Sequence, residues 1–171
     1  RTELLQKLAS YKPAIVRGNA SEIIALAALW GAEGGSADLG RARGVDSTDP
    51  VDAARTSAVA LARQTGGAVA VSGEKDLVTD GNVVAYSTGG SALMEKVTGF
   101  GCSQGGVLAV YACESDPFTA AVAGVAHYNV AGARAAKAAT APASFKVAFI
   151  DELYRATPDD IAGNPLVIEE A

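Results

Sequence analysis

A chain of 171 residues that is 49% hydrophobic and 19% charged holds enough apolar material for one packed domain and too little length for two ordinary ones. Its formal net charge of -5 argues against a nucleic-acid partner, because affinity for a phosphate backbone comes from lysine and arginine neutralising it. No apolar run reaches the roughly 20 residues a membrane helix needs, and Arg1-Thr2-Glu3 is followed by neither an h-region nor a cleavage motif, so the expectation is a soluble, cytoplasmic protein without a membrane partner.

In chain order, residues 2–11 show helical spacing through Leu4, Leu5 and Leu8, and Pro13 stops them. The short run Ala14-Ile15-Val16, ending in Arg17-Gly18-Asn19, suits a buried parallel strand. Asn19 followed by Glu22 matches a helix cap, with Ile23, Ile24, Leu26, Ala27 and Trp30 on the inner face behind it. Residues 31–48 are rich in Gly, Ser and Asp without periodicity, which predicts a surface loop or active-site flap. A helix follows from Pro50 to the Gly66-Gly67 stop, then a strand over Ala68-Val69-Ala70-Val71, closed by Ser72-Gly73. Two strand-helix units in succession imply a parallel sheet.

The period then changes. Two β-type runs flank Asp80-Gly81-Asn82, a hairpin signal. From Thr98-Gly99-Phe100-Gly101-Cys102 to about Ala139 the chain is compatible with helix, with a break at Ser115-Asp116-Pro117. A last helix is predicted from Ala143 to Arg155, and residues 157–171 read as a polar tail. Cys102 and Cys113, eleven residues apart in one helical stretch, would be about 16 Å apart, beyond disulfide reach. No C-x-x-C pair exists and His127 has no ligand partner at helical spacing, so a reducing compartment fits and His127 reads as a packed or capping histidine.

Chemistry concentrates in residues 97–102. Glycines directly before a helix let the backbone aim several unsatisfied N–H groups at one point, an anion hole at the positive end of the helix dipole. Cys102 falls in the first turn, where a nucleophile or base belongs. On spacing alone a glycine-rich helix start with an inert cysteine fits equally well. Glu22 could simply complete the Asn19 cap, Arg17 could be a solvated strand end, and Ser72 could be a turn residue.

Five stretches in order, covering most of the chain, resemble the hydroxyethylthiazole kinase family. Arg17-Gly18-Asn19-Ala20-Ser21-Glu22-Ile23 resembles its R-G-N-x-x-E-I, and Arg43-Gly44-Val45-Asp46-Ser47 its K-G-V-D-S. Residues 69–80 (VAVSGEKDLVTD) resemble V-A-V-T-G-x-x-D-x-V-x-D, residues 93–102 resemble L-M-x-x-V-T-G-x-G-C, and residues 142–154 (PASFKVAFIDELY) resemble P-G-S-F-x-x-x-F-x-D-x-L-Y. The resemblance implies an α/β, ribokinase-like three-layer α/β/α fold with a mostly parallel central sheet, of which residues 1–171 form the C-terminal portion of one domain. It implies transfer of the γ-phosphoryl of ATP to the primary alcohol of 4-methyl-5-(2-hydroxyethyl)thiazole, with Mg2+, in a homotrimer whose sites lie at subunit boundaries.

By the same resemblance, Gly99, Phe100 and Gly101 form the substrate and phosphoryl loop, and Cys102 accepts the hydroxyl proton where other ribokinase-like enzymes have aspartate. Arg17 and Ser72 bind ATP, with Ser72 replacing the usual Thr but keeping the hydroxyl. Glu22 acts on magnesium through water. Two departures bear on the acceptor alcohol: Gly89-Gly90-Ser91-Ala92 replaces N-G-H-P, and Phe100 replaces a small residue, which is expected to narrow the pocket. Family members carry a further stretch before the part matching Arg1-Thr2, with half of the thiazole pocket and an acidic metal residue; it is expected on a second chain or a cleaved fragment. Two alternatives stay open: another ribokinase-like enzyme (a pyrimidine kinase or nucleotide-hydrate dehydratase), whose usual Asp at the Cys102 position argues against it, or a non-catalytic piece that needs a second chain.

Overall fold

The computed structural model describes residues 2–35 and 50–171; the Arg43-Gly44-Val45-Asp46-Ser47 motif and most of the expected flap lie outside them. Pro13 has no N–H to continue a helix, so α1 (Thr2–Leu8) and the 3-10 turn Ala9–Tyr11 end before β1 (Ile15–Asn19). Asn19 then caps α2 (Ala20–Trp30): its Oδ1 accepts the Glu22 N–H at 2.9 Å, and Glu22 Oε2 accepts the Asn19 N–H at 2.8 Å, a reciprocal pair that satisfies two orphan donors. Helices α3 (Pro50–Ala53) and α4 (Arg55–Thr65) lead to β2 (Ala68–Ser72), β3 (Lys75–Thr79) and β4 (Val83–Thr88). In the expected hairpin turn, Asp80 Oδ1 accepts the N–H groups of Asn82 and Val83 at 2.7 and 2.9 Å. After a 3-10 turn at Ala92–Lys96 come α5 (Phe100–Ala112), α6 (Pro117–Ala138), α7 (Pro142–Arg155), α8 (Pro158–Ala162) and β5 (Leu166–Glu170). Among the described residues no helix is long and apolar enough to cross a membrane.

The five strands pair in sequence order. Within the described residues the expected parallel pairing is confined to β1 and β2; β2–β3, β3–β4 and β4–β5 are antiparallel. Connection length explains part of the difference. A parallel neighbour needs a crossover of a dozen or more residues, which the β1–β2 link with α2 and α4 provides, whereas β2–β3 and β3–β4 are joined by two and three residues; β4 and β5 are antiparallel although four helices lie between them.

Residues 157–171, expected as a polar tail, form α8 and β5 instead. Their charged residues masked the short apolar run Leu166 to Ile168, which stays exposed and is held by main-chain pairing to β4 rather than by burial. Arg55 fixes its far end, with an ion pair to Glu169 at 2.9 Å and a hydrogen bond to the Glu170 carbonyl at 2.8 Å.

Strand alternation divides the core. Val69, Val71, Leu77 and Val84 face Ile23 and Leu61 of α2 and α4. Ala68, Ala70, Val78 and Ala85 face Leu108 of α5 and Ala121 and Val125 of α6. The small side chains on this second face let α6 lie close to the sheet, and the result is three layers. A separate aromatic cluster of Phe100, Tyr128, Phe145 and Phe149 joins α5, α6 and α7.

Helix α8 is tied to α6 by charge. Arg134 is ion-paired with Asp160, and the Thr157 N–H and hydroxyl both donate to Asp160 Oδ2 at 2.8 Å. The Arg134 bond, aided by those from Thr157, holds the Asp160 carboxyl down at about 2, from 3.8. A carboxylate lowered in the fold stabilises it above the unfolded value, and that contribution fades as pH falls from 3.8 towards 2. Asp160→Asn is therefore expected to lower the Tm at pH 6 and to lower it much less near pH 2; circular-dichroism melts at both pH values check this, and an undiminished gap at pH 2 contradicts it.

Candidate active site

Ligands of α/β folds gather at the carboxyl ends of parallel strands, and here those ends carry Arg17 to Asn19 on β1 and Ser72 on β2. With the start of α5 they border a groove of about 870 Å³ lined by, among others, Arg17, Ser72, Asp76, Gly89, Gly101 and Asn129. The Arg17 guanidinium is oriented from two sides: Nε donates to Gln104 Oε1 at 3.0 Å and Nη2 to Ser72 Oγ at 2.7 Å. Gly101 lies against it. A Cβ there would sit 2.9 Å from Nη2 and 3.0 Å from Nη1, so glycine is what lets the cation approach the first turn of the helix.

Gly99 caps α5 with φ 84°, a left-handed conformation that glycine adopts without strain. The Phe100 N–H bonds to the Val97 carbonyl at 3.2 Å and the Ser103 N–H to the Gly99 carbonyl at 2.9 Å. Between them, the N–H groups of Gly101 and Cys102 have no partner among the described residues. Two free amides beside a fixed guanidinium, at the positive end of a helix, are an arrangement able to accept an anion. The Cys102 thiol is free and exposed in the same turn.

Phe100 lines the groove, where narrowing of the pocket is expected, and it is a core residue as well. Its ring is only 7% exposed and packs on Phe149, Phe145 and Tyr128, with centroids 4.4, 5.6 and 5.8 Å away. The large side chain anchors the loop from below, and its carbonyl accepts from Ser103 Oγ at 2.8 Å and Tyr128 OH at 2.7 Å. Burial raises the Tyr128 phenol above its usual range, against the opposing Ser103 hydrogen bond and Arg17 charge. Tyr128 therefore stays a neutral donor that pins the turn.

Glu22 is exposed, with one carboxylate oxygen engaged in the α2 cap, as the capping reading has it. Among the described residues no group of three or more His, Cys, Asp or Glu side chains could hold a metal. His127 is packed: Nε2 lies 2.8 Å from the Leu153 carbonyl and Nδ1 3.0 Å from Tyr111 OH. A smaller cavity of about 540 Å³ on the other side of β3 and β4 shares no lining residue with the groove; its charges are already engaged, Arg55 with Glu169 and Lys75 over the Tyr86 ring at 3.7 Å.

Sequence reading had not singled out Gln104, Asp76, Tyr128 or Asn129. All four are polar side chains 7% exposed or less, and their partners lie far away in sequence. Asp76 sits inside a quoted motif, and Asn129 interrupts an alanine-rich helix. Those were the available signals.

Residues 1–159 match the hydroxyethylthiazole kinase family model. The chain belongs to this family. It is 44% identical over 177 residues to a hydroxyethylthiazole kinase of Bifidobacterium animalis subsp. lactis, covering 98% of the chain and 58% of that protein. One of Gemmatimonas aurantiaca is 46% identical over 167 residues, covering 98% and 57%. A solved structure of a hydroxyethylthiazole kinase protein from Pyrococcus horikoshii superposes with a TM-score of 0.79 at 25% identity, over 100% of this chain and 60% of that one. The fold is thus the expected ribokinase-like α/β fold, and the chain spans less than two thirds of the length of these family members.

Proposed function

We propose that this chain carries the phosphoryl-transfer half of a hydroxyethylthiazole kinase, moving the γ-phosphoryl of ATP to the primary alcohol of 4-methyl-5-(2-hydroxyethyl)thiazole. The observation that supports this best is the pairing of the free Gly101 and Cys102 amides with the fixed Arg17 guanidinium at the strand ends. In this reading Arg17 and Ser72 hold ATP phosphates, and the Gly99-Phe100-Gly101 loop presents the free Gly101 and Cys102 amides to the phosphoryl group in transit. The alcohol oxygen bonds to the γ-phosphorus, the bond to the β-phosphate bridging oxygen breaks, ADP leaves, and Cys102 takes the alcohol proton. A thiol suffices as base because phosphoryl transfer through a loose transition state depends chiefly on positioning and charge stabilisation.

Magnesium binds through few carboxylates, several waters and substrate phosphates, which fits Glu22 acting through water; the ion would supply charge neutralisation on the phosphates. The longer family members provide the length for the remaining thiazole pocket and a second acidic group. The active form we propose is a cytoplasmic homotrimer, in keeping with the two free thiols. The 57–58% coverage of the relatives favours one second reading, in which the chain binds nucleotide alone and turns over only when another polypeptide completes it.

Intact-mass measurement of the purified material, followed by ATP consumption with hydroxyethylthiazole, separates the two. Cys102→Ala is expected to lower kcat by about 10–10²-fold, at the low end of general-base effects, whereas Cys102→Asp retains or improves it. Equal loss in both folded variants refutes the proton-acceptor role, and absence of ATP binding refutes the proposal.

A further inference from the structure

Asp76 is a carboxylate only 7% exposed that the chemistry above leaves unused. Burying it is unfavourable, and burial raises its pKa against the hydrogen bonds of Asn129 and Gly73 and the charge of Arg17. Its two oxygens are committed in opposite directions. Oδ1 accepts the Gly73 N–H at 3.0 Å, next to Ser72. Oδ2 accepts from Asn129 Nδ2 at 2.9 Å.

Asn129, 4% exposed on α6, also donates to Ser87 Oγ at 3.1 Å, and its main-chain carbonyl accepts the Gly90 N–H at 3.0 Å. Gly89 and Gly90 have φ of 147° and 73°, and a Cβ on Gly89 would meet the Asn129 Cβ at 2.9 Å. The chain at 89–90 therefore folds over Asn129 closely enough to require glycine. One continuous path of bonds runs from the phosphate side of the groove, Ser72-Gly73, to its opposite wall, Gly89-Gly90.

We infer that Asp76 and Asn129 are positioning residues that set the distance between these walls, so that ATP, rather than the acceptor alcohol that the departure at 89–92 suggests, lies along Gly89-Gly90 with its phosphates on Arg17 and Ser72. The inference rests on the ATP-binding reading above. It predicts that the pair acts on nucleotide affinity. Asp76→Asn can retain both bonds, its oxygen facing Gly73 and its amide facing a flipped Asn129; Asp76→Ala and Asn129→Ala cannot.

Calorimetric titration of this chain, unaltered and variant, with MgATP tests it. The alanine variants should weaken MgATP binding by about tenfold or more, the scale of a lost hydrogen bond to a charged group. Asp76→Asn should stay within about threefold, well below that one-bond scale. Alanine variants that bind MgATP like the unaltered chain, or an Asp76→Asn variant that loses as much as Asp76→Ala, overturn the clamp alone. An unaltered chain that does not bind MgATP overturns the ATP-binding reading and the clamp with it. Should the alanine variants not fold, amide exchange in the unaltered chain decides: protection of Gly73 and Gly90 that deepens with MgATP is expected, and unprotected exchange at both overturns the inference.

Discussion

On the proposed reading, Arg17→Ala will lower kcat/KM for ATP by about 10²–10³-fold, because charge-assisted bonds to phosphate contribute about 1.5–3 kcal/mol each and, among the described residues lining the groove, Arg17 is the only lysine or arginine. The substitution also leaves Gln104 Oε1 and Ser72 Oγ without the donor they share. Arg17→Lys will restore only part of the loss, since a point charge cannot satisfy Gln104, Ser72 and a phosphate with one planar fork. Initial rates at varied ATP, with hydroxyethylthiazole saturating, give the measurement. A change below about threefold, far short of one charge-assisted bond, would move the phosphates to another part of the groove.

Phe149→Ala should destabilise the fold by about 3–5 kcal/mol, the usual loss for an aromatic ring removed from a core. The ring is 3% exposed and contacts Phe100 and Tyr128 with centroids at 4.4 and 4.7 Å, so deletion opens a cavity beneath the proposed anion subsite itself. Urea unfolding measures it, and the folded fraction should also bind ATP more weakly because Phe100 no longer has its anchor. A loss under about 1 kcal/mol would mean that the neighbours collapse into the gap, contrary to the close packing of such cores.

Local chemistry was readable from the residues. Asn19 and Glu22 announced a reciprocal cap, Asp80-Gly81-Asn82 a hairpin, Asp116-Pro117 a helix start, and Gly99 the beginning of α5; each is found. These features depend on neighbours a few positions away. What was not readable depends on distant pairing. Strand direction in the sheet follows from connection lengths and partners, and β5 shows no burial pattern to betray it. Phe100 reads as a pocket residue because it replaces a small residue of the family loop, and it does line the groove, but the rings that bury it lie 28, 45 and 49 positions further on. Asp76 and Asn129, 53 positions apart, carry no local signature of each other.

The separations within the site also bear on how the molecule reaches it. Arg17 bonds to Ser72 across 55 positions and to Gln104 across 87, while β2, β3 and β4 follow one another through short turns. Loop-closure entropy delays distant contacts, and hairpins form within about 1–10 μs. The β2–β4 ribbon is therefore expected to come together early, and β1, with the Arg17 guanidinium on it, to join late together with β5, so a refolding chain regains part of its strand signal before the groove is built.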